Sequence, residues 1–260
     1  MNSNSGSERA ENTRELYDNQ AGDWKRSGPL LLSDYSARPF VLRLCQPLKD
    51  AVVLDAGCGE GYVARKILDS GASFVHGIDI SGNMIEQAIL QIPDGFSGKC
   101  RFECADIRQD AKLDDAAFDL VLAMFLFNYL NVPDTEEVMK LFFKALKPGG
   151  HFIFSVPHPS LAFLKKDRFP FYFETKGGYF SGRNVLFPGE IWRRDGISVG
   201  VQCVHKTVED YFTCLRKSGF SVMPELYELH ITDEHIALDP AFFSNLKDLP
   251  LHLAFKVQKT

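Results

Sequence analysis

Ala51-Val52-Val53-Leu54-Asp55-Ala56-Gly57-Cys58-Gly59-Glu60-Gly61 is an apolar run that passes through one acid into three glycines spaced two apart. The pattern predicts a strand, a sharp turn at its carboxyl end and a helix that starts beneath the turn. Glycine has no Cβ, so the backbone can turn tightly there and a ligand can lie close against it. A flat, polar small molecule is the expected occupant. The order D-x-G-x-G-x-G differs from the G-x-G-x-x-G fingerprint that sets a dinucleotide pyrophosphate against a helix N-terminus.

Working outward, Tyr62 to Asp69 reads as a helix closed by Gly71, a residue able to take the left-handed cap conformation. Ser73 to Ile78 reads as a second strand that delivers Asp79. An acid about 20 residues past the glycines is placed to accept hydrogen bonds from ribose hydroxyls. Asp79 also suits capping of the helix expected from Ser81 to Gln91, and both readings stand. Cys100 to Cys104 alternates as a third strand and leads into Ala105, Asp106 and Ile107. Asp106 reads equally as the N-cap of a helical turn. Phe118 to Phe125 is a near-continuous apolar run, as a parallel strand covered on both faces requires. Met124 at its end either faces the ligand or fills the core. A helix from Asp134 to Leu146 and a strand from His151 to Val156 follow.

These pieces, with Phe118-Asp119 and Leu146-Lys147-Pro148-Gly149-Gly150, resemble the class I S-adenosylmethionine-dependent methyltransferases over roughly residues 50–157. The likeness is to the small-molecule enzymes of the ubiquinone and menaquinone biosynthesis type (methyltransferase type 11). It implies an α/β fold: a Rossmann-like, seven-stranded, mostly parallel sheet ordered 3-2-1-4-5-7-6, with helices on both faces. It also implies an N-terminal helical lid and an insertion after strand five. His205 to Phe220 resembles the last helix and the start of the sixth strand, and Leu251 to Val257 the antiparallel seventh. The implied cofactor is S-adenosyl-L-methionine, with S-adenosyl-L-homocysteine as product. The implied cofactor residues are Asp55, Ala56, Gly57, Cys58 and Gly59 in the loop, with Asp79, Ile80 and Met84 after strand two. Ala105, Asp106 and Ile107 follow strand three, Asp106 toward the adenine amine, and Met124 ends strand four. Tyr17-Asp-Asn-Gln-Ala-Gly-Asp-Trp24 resembles the Y-D-x-x-A-x-x-(W/Y) segment that folds over the cofactor. Tyr17 and Trp24 are seven apart and share a helical face, which covers the cleft or packs on the sheet.

At 260 residues and 45% apolar composition, the chain fits one α/β domain. The expected division is a disordered tail over 1–15 and a single domain over 16–260, with the lid at 16–48 and a substrate insertion at 157–200. The first fifteen residues lack the basic end and apolar stretch of a secretory signal. The longest apolar run, near Leu120 to Val132, is too short for a membrane span. Six cysteines without a C-x-x-C pair predict a reduced, cytoplasmic protein with no metal. Cys58 reads as a reactive thiol or as a small residue that fits the loop. A net charge of −5 argues against a nucleic acid partner. Lys165-Lys166-Asp167-Arg168 and Arg193-Arg194 are local basic exceptions. Monomer and homodimer both remain open.

The insertion holds Phe163, Phe169, Phe171, Tyr172, Phe173, Tyr179, Phe180, Phe187 and Trp192. Long segments of this kind inside a domain are usually functional. The aromatics line a substrate pocket, with Tyr172, Tyr179 and Trp192 as its candidates, or form a satellite core or a dimer surface. His158, after the fifth strand, lies at the edge where open α/β sheets bind ligands. With an ordinary pKa of about 6.5 it is the candidate catalytic base, although positioning alone suffices for many methyl transfers. His205 reads as structural. The expected reaction is in-line transfer of a methyl group to oxygen, nitrogen or carbon of a small metabolite. The alternatives are a methyltransferase acting on RNA or another macromolecule, a non-catalytic S-adenosylmethionine-binding protein, and a nicotinamide-dependent oxidoreductase, against which the glycine spacing weighs.

Overall fold

In the computed structural model, which describes residues 6–164 and 167–260, strand residues alternate between two packed faces and thereby order the whole chain. The elements run α1 (Gly6–Trp24), α2 (Leu32–Ser36), α3 (Arg38–Leu44), β1 (Val52–Ala56), α4 (Tyr62–Asp69), β2 (Phe74–Asp79), α5 (Gly82–Leu90), β3 (Cys100–Cys104) and β4 (Phe118–Met124). They continue with α6 (Val132–Ala145), β5 (Leu146–Pro157), α7 (Leu161–Leu164), β6 (Phe171–Phe173), β7 (Leu186–Trp192), β8 (Ser198–Val204) and α8 (Val208–Lys217). The last are β9 (Glu225–Leu229), α9 (Asp233–Leu238), α10 (Pro240–Phe243) and β10 (His252–Gln258).

The main sheet is ordered β3-β2-β1-β4-β5-β10-β9. With the three insertion strands left out of the count, this is the expected 3-2-1-4-5-7-6 order. β1 pairs in parallel with β2 and β4, and β10 runs antiparallel to β5 and β9. Side chains on a strand point alternately to opposite faces. Val121 and Ala123 of β4 therefore join Phe152 and Phe154 of β5 and Phe255 of β10 under α6 and α8. Leu120, Leu122 and Met124 face the other way with Ile153 and Ala254, against Val41 of α3 and Ile67 of α4. Two dry layers leave the carboxyl edge of the parallel strands as the open rim.

Two segment boundaries differ from expectation. The expected tail over 1–15 is helical from Gly6 onward, and residues 1–5 lie outside the described residues. The helix is held at its carboxyl half rather than by its own composition: Asp18 accepts from Ser81 Oγ (2.5 Å) and from the Asn83 backbone N–H (3.2 Å) at the start of α5. The insertion is a three-stranded antiparallel sheet, β6-β7-β8, that runs to Val204. Its β-branched residues Val199, Val201 and Val204 are buried and carry the pairing past the expected end at residue 200. Lys165 and Lys166 of the basic run lie outside the described residues.

Candidate cofactor and acceptor site

The glycine loop is pinned from β2. The backbone N–H groups of Gly57 and Cys58 donate to the Ile78 carbonyl (2.8 and 3.1 Å), and that of Gly59 to Asp79 Oδ2 (2.8 Å). Gly57, Gly59 and Gly61 have φ of +74°, +53° and +77°, a region costly for residues with a Cβ. Space within 4 Å of a Cβ built on Gly59 is empty, so the loop presents bare backbone to a cavity of about 230 Å³. The other Asp79 oxygen accepts from the Ser81 N–H (3.0 Å), while Ser81 itself caps α5 through the Met84 N–H (3.1 Å). Asp79 thus fastens loop to helix start and still faces the cavity, with burial pushing its carboxyl pKa up against those two N–H groups.

Asp55 is buried at 1% exposure. Its Oδ2 has no hydrogen-bond partner, and burial, then the Asp79 charge, push its pKa up to about 7. A buried carboxylate oxygen lining a cavity is a place for a cation. Burial holds the Cys58 thiol well above its ordinary range, so this residue fits the loop as a small side chain.

The N-terminal segment forms the second wall. Tyr17 and Trp24 both line the cavity with ring centroids 5.4 Å apart, and the Tyr17 hydroxyl bonds that of Tyr129. Behind them lies a buried ionic chain. Arg26 pairs with Asp34 (3.2 Å) and Glu60 (3.1 Å), Arg38 with Asp34 (2.9 Å), and Arg65 with Glu60 (2.7 Å). Arg26 also lies 4.5 Å over the Tyr62 ring. This chain ties the glycine loop to the segment that covers it. Phe125, at φ +61°, and Leu126 form the floor after β4. A non-glycine residue held there marks a backbone bend that the surroundings enforce.

Of the expected cofactor residues, Asp55, Gly57, Cys58, Gly59, Asp79, Ile80, Met84, Ala105, Asp106, Ile107, Met124, Tyr17 and Trp24 line this one cavity, while Ala56 lies buried in the core behind it. Asp106 lines the cavity and also caps the turn that follows β3. It receives the Arg108 N–H as a cap (3.0 Å) and pairs with the Arg108 guanidinium (2.6 Å), which outweighs burial and lowers its pKa.

The acceptor candidates lie outside this cavity. His158 does not line the cavity: its Nδ1 bonds Ser160 Oγ (2.7 Å) and its Nε2 Glu228 Oε1 (3.1 Å). The turn after β5 aims it toward β9. Tyr172 and Trp192 sit on the wrong parity of their strands. Phe171 and Phe173 face the cavity, as does Ile191 paired opposite Phe171, so Tyr172 and Trp192 face away. Tyr172 packs under Arg168 (4.7 Å) and Trp192 against Phe169. Tyr179 lies edge-on to His205 with ring centroids 5.2 Å apart, and His205 Nε2 bonds the Tyr179 carbonyl (2.7 Å). Neither lines the cavity. Arg26, Arg38, Tyr129, Phe171, Phe173 and His252 line the cavity without belonging to any motif.

A family model described as a methyltransferase domain matches residues 53–150, the stretch from β1 to the turn inside β5. A solved S-adenosylmethionine-dependent methyltransferase from Mesorhizobium loti superposes with a TM-score of 0.64 at 26% identity, over 85% of this chain and 96% of that one. Those residues carry a methyltransferase domain of the class I S-adenosylmethionine-dependent kind. A ubiquinone biosynthesis O-methyltransferase of Neisseria meningitidis is 29% identical over 145 residues, covering 54% of this chain and 60% of that protein. An uncharacterized Haemophilus influenzae protein is 34% identical over 137 residues, covering 52% and 53%. The chain spans little more than half the length of these curated relatives. Its site fits the family's cofactor: a bare-backbone cradle at Gly59, an acid at Asp79 and an unpartnered carboxylate oxygen at Asp55 suit the cofactor's ribose and its amino acid end.

Proposed function

We propose that this chain transfers a methyl group from S-adenosyl-L-methionine to oxygen, nitrogen or carbon of a small metabolite. The observation that carries this reading is one continuous cavity running from the glycine loop to the apolar wall of Phe171, Phe173 and Ile191. A molecule seated on that wall lies beside whatever the loop holds. Asp79 and the loop backbone hold the ribose and amino acid portions, Asp55 faces the ammonium group, and Tyr17 and Trp24 cover them. When bound, the cofactor supplies an electrophilic methyl on a positive sulfonium. The protein's contribution is to align the acceptor and exclude water, an effect worth roughly 7 to 11 kcal/mol of barrier in well-oriented reactions. The α1 segment acts as a lid that opens for exchange. A net charge of −5 favours a small acceptor over nucleic acid, and the cytoplasm is the proposed compartment. Among the described residues no helix is long and apolar enough to cross a membrane, and no cluster of His, Cys, Asp or Glu is placed to hold a metal.

Calorimetric titration with S-adenosylhomocysteine, beside NADH, tests the cofactor half. A metabolite extract incubated with methyl-labelled cofactor and read by mass spectrometry tests the transfer half. NADH binding in place of S-adenosylhomocysteine would overturn the reading.

A further inference from the structure

His252 opens β10 beside Pro157 of β5 and Leu229 of β9. It is 6% exposed, lines the cavity, and lies edge-on to Phe125 with ring centroids 5.1 Å apart. Its Nδ1 is 2.9 Å from Ser36 Oγ. That hydroxyl has one proton, and Ser36 Oγ sits 3.0 Å from the Leu32 carbonyl four residues back, the usual recipient of a helical serine's proton. With the hydroxyl proton directed at Leu32, the Ser36 oxygen can only accept from Nδ1–H. A neutral imidazole carries one N–H, so Nε2 holds a lone pair, and it takes no hydrogen bond from the described residues.

We propose that His252 Nε2 is the group that receives the acceptor's proton, which makes the substrate an O–H or N–H nucleophile. This rests on the methyltransferase reading above. The acceptor's O–H or N–H donates to Nε2, which leaves the acceptor's own lone pair free to attack the methyl carbon. As the new C–O or C–N bond forms, the S–C bond breaks with its electron pair left on sulfur. The acceptor's proton moves to Nε2 and leaves to water when the site opens. The surroundings hold the empty imidazole neutral: burial, then the charges of Arg38 and His158, push its pKa down to about 3. His252 therefore stands unprotonated at neutral pH, and so weak a base takes the proton only once the new bond to carbon has made it strongly acidic, as on a methylated hydroxyl or a weakly basic nitrogen. A carbon nucleophile would make no use of it.

The test uses the full chain. With ¹⁵N-labelled histidine and bound S-adenosylhomocysteine, NMR is expected to show His252 protonated on Nδ1 and bare on Nε2 at neutral pH. Ser36→Ala should shift that tautomer balance. In the extract assay, His252→Ala should lower product formation on the order of 10²-fold while binding S-adenosylhomocysteine as wild type does, which also shows that it is folded. His252→Gln, with an amide oxygen near the Nε2 position, should recover part of the loss. An Nε2–H tautomer in the wild type, transfer undiminished in His252→Ala, or a product methylated on carbon each overturn the assignment. A wild type that fails to bind S-adenosylhomocysteine instead removes the cofactor reading. One that binds it yet methylates nothing in the extract removes the transfer reading and this assignment together.

Discussion

Replacing Asp55 by Asn should act with opposite signs on stability and on binding. In the unliganded chain the carboxyl pKa rises from 3.8 unfolded to about 7 folded. Between those values the folded chain holds a proton that the unfolded chain has released, so stability falls as pH rises through this window. At 1.36 kcal/mol per unit, the penalty above pH 7 is on the order of 4 kcal/mol. Asn carries no charge and escapes it, but its buried amide costs about 1 to 3 kcal/mol if left without a partner. The variant should therefore be more stable than wild type by about 1 to 3 kcal/mol at pH 8, with the order reversed near pH 4.

Binding should move the other way. The ammonium group that meets Oδ2 loses a charge-assisted bond worth about 1.5 to 3 kcal/mol. Wild-type affinity should also rise with pH through about 7, because the ligand selects the ionised form. Urea unfolding at pH 4 and pH 8, with S-adenosylhomocysteine titration across the same range, reads all three effects. An Asn variant that is less stable at both pH values and binds as wild type would refute the argument, since Asp55 would then be only a structural hydrogen-bond acceptor.

Asp79→Ala should weaken S-adenosylhomocysteine binding by about 1.5 to 3 kcal/mol, whereas His158→Ala should leave it unchanged; equal losses by calorimetry would dismiss the assigned roles. Arg26→Ala strips one cation from the buried Asp34 and Glu60 carboxylates and should cost about 3 kcal/mol of unfolding free energy. A loss near zero in urea would mean that Arg38 and Arg65 suffice. Phe171→Ala should reduce methyl transfer per S-adenosylhomocysteine-binding site, while Tyr172→Ala should spare it. The reverse order would place the acceptor on the other face of β6.

The cofactor half of the site was legible because backbone geometry there demands residue types. Three positive φ angles in five residues admit little but glycine, and an acid must follow at the next strand's end to hold the loop. The acceptor half carries no such demand. Phe171-Tyr172-Phe173 presents three aromatics in a row, so composition does not show which parity faces inward. Only pairing with β7, which sets Phe171 opposite Ile191, selects Phe171 and Phe173. The two histidines near the cleft show a related limit. His158 and His252 both lie at the sheet edge, His252 directly opposite Pro157, and chain position favours the one that follows a parallel strand. What separates them is the partners of the ring nitrogens. Both nitrogens of His158 are engaged by Ser160 and Glu228. His252 has its Nδ1 bonded to a hydroxyl 216 residues away, and no local pattern encodes a contact of that span. A glycine's role is readable wherever its φ is forced, whereas a histidine's depends on neighbours that only the folded chain brings to it.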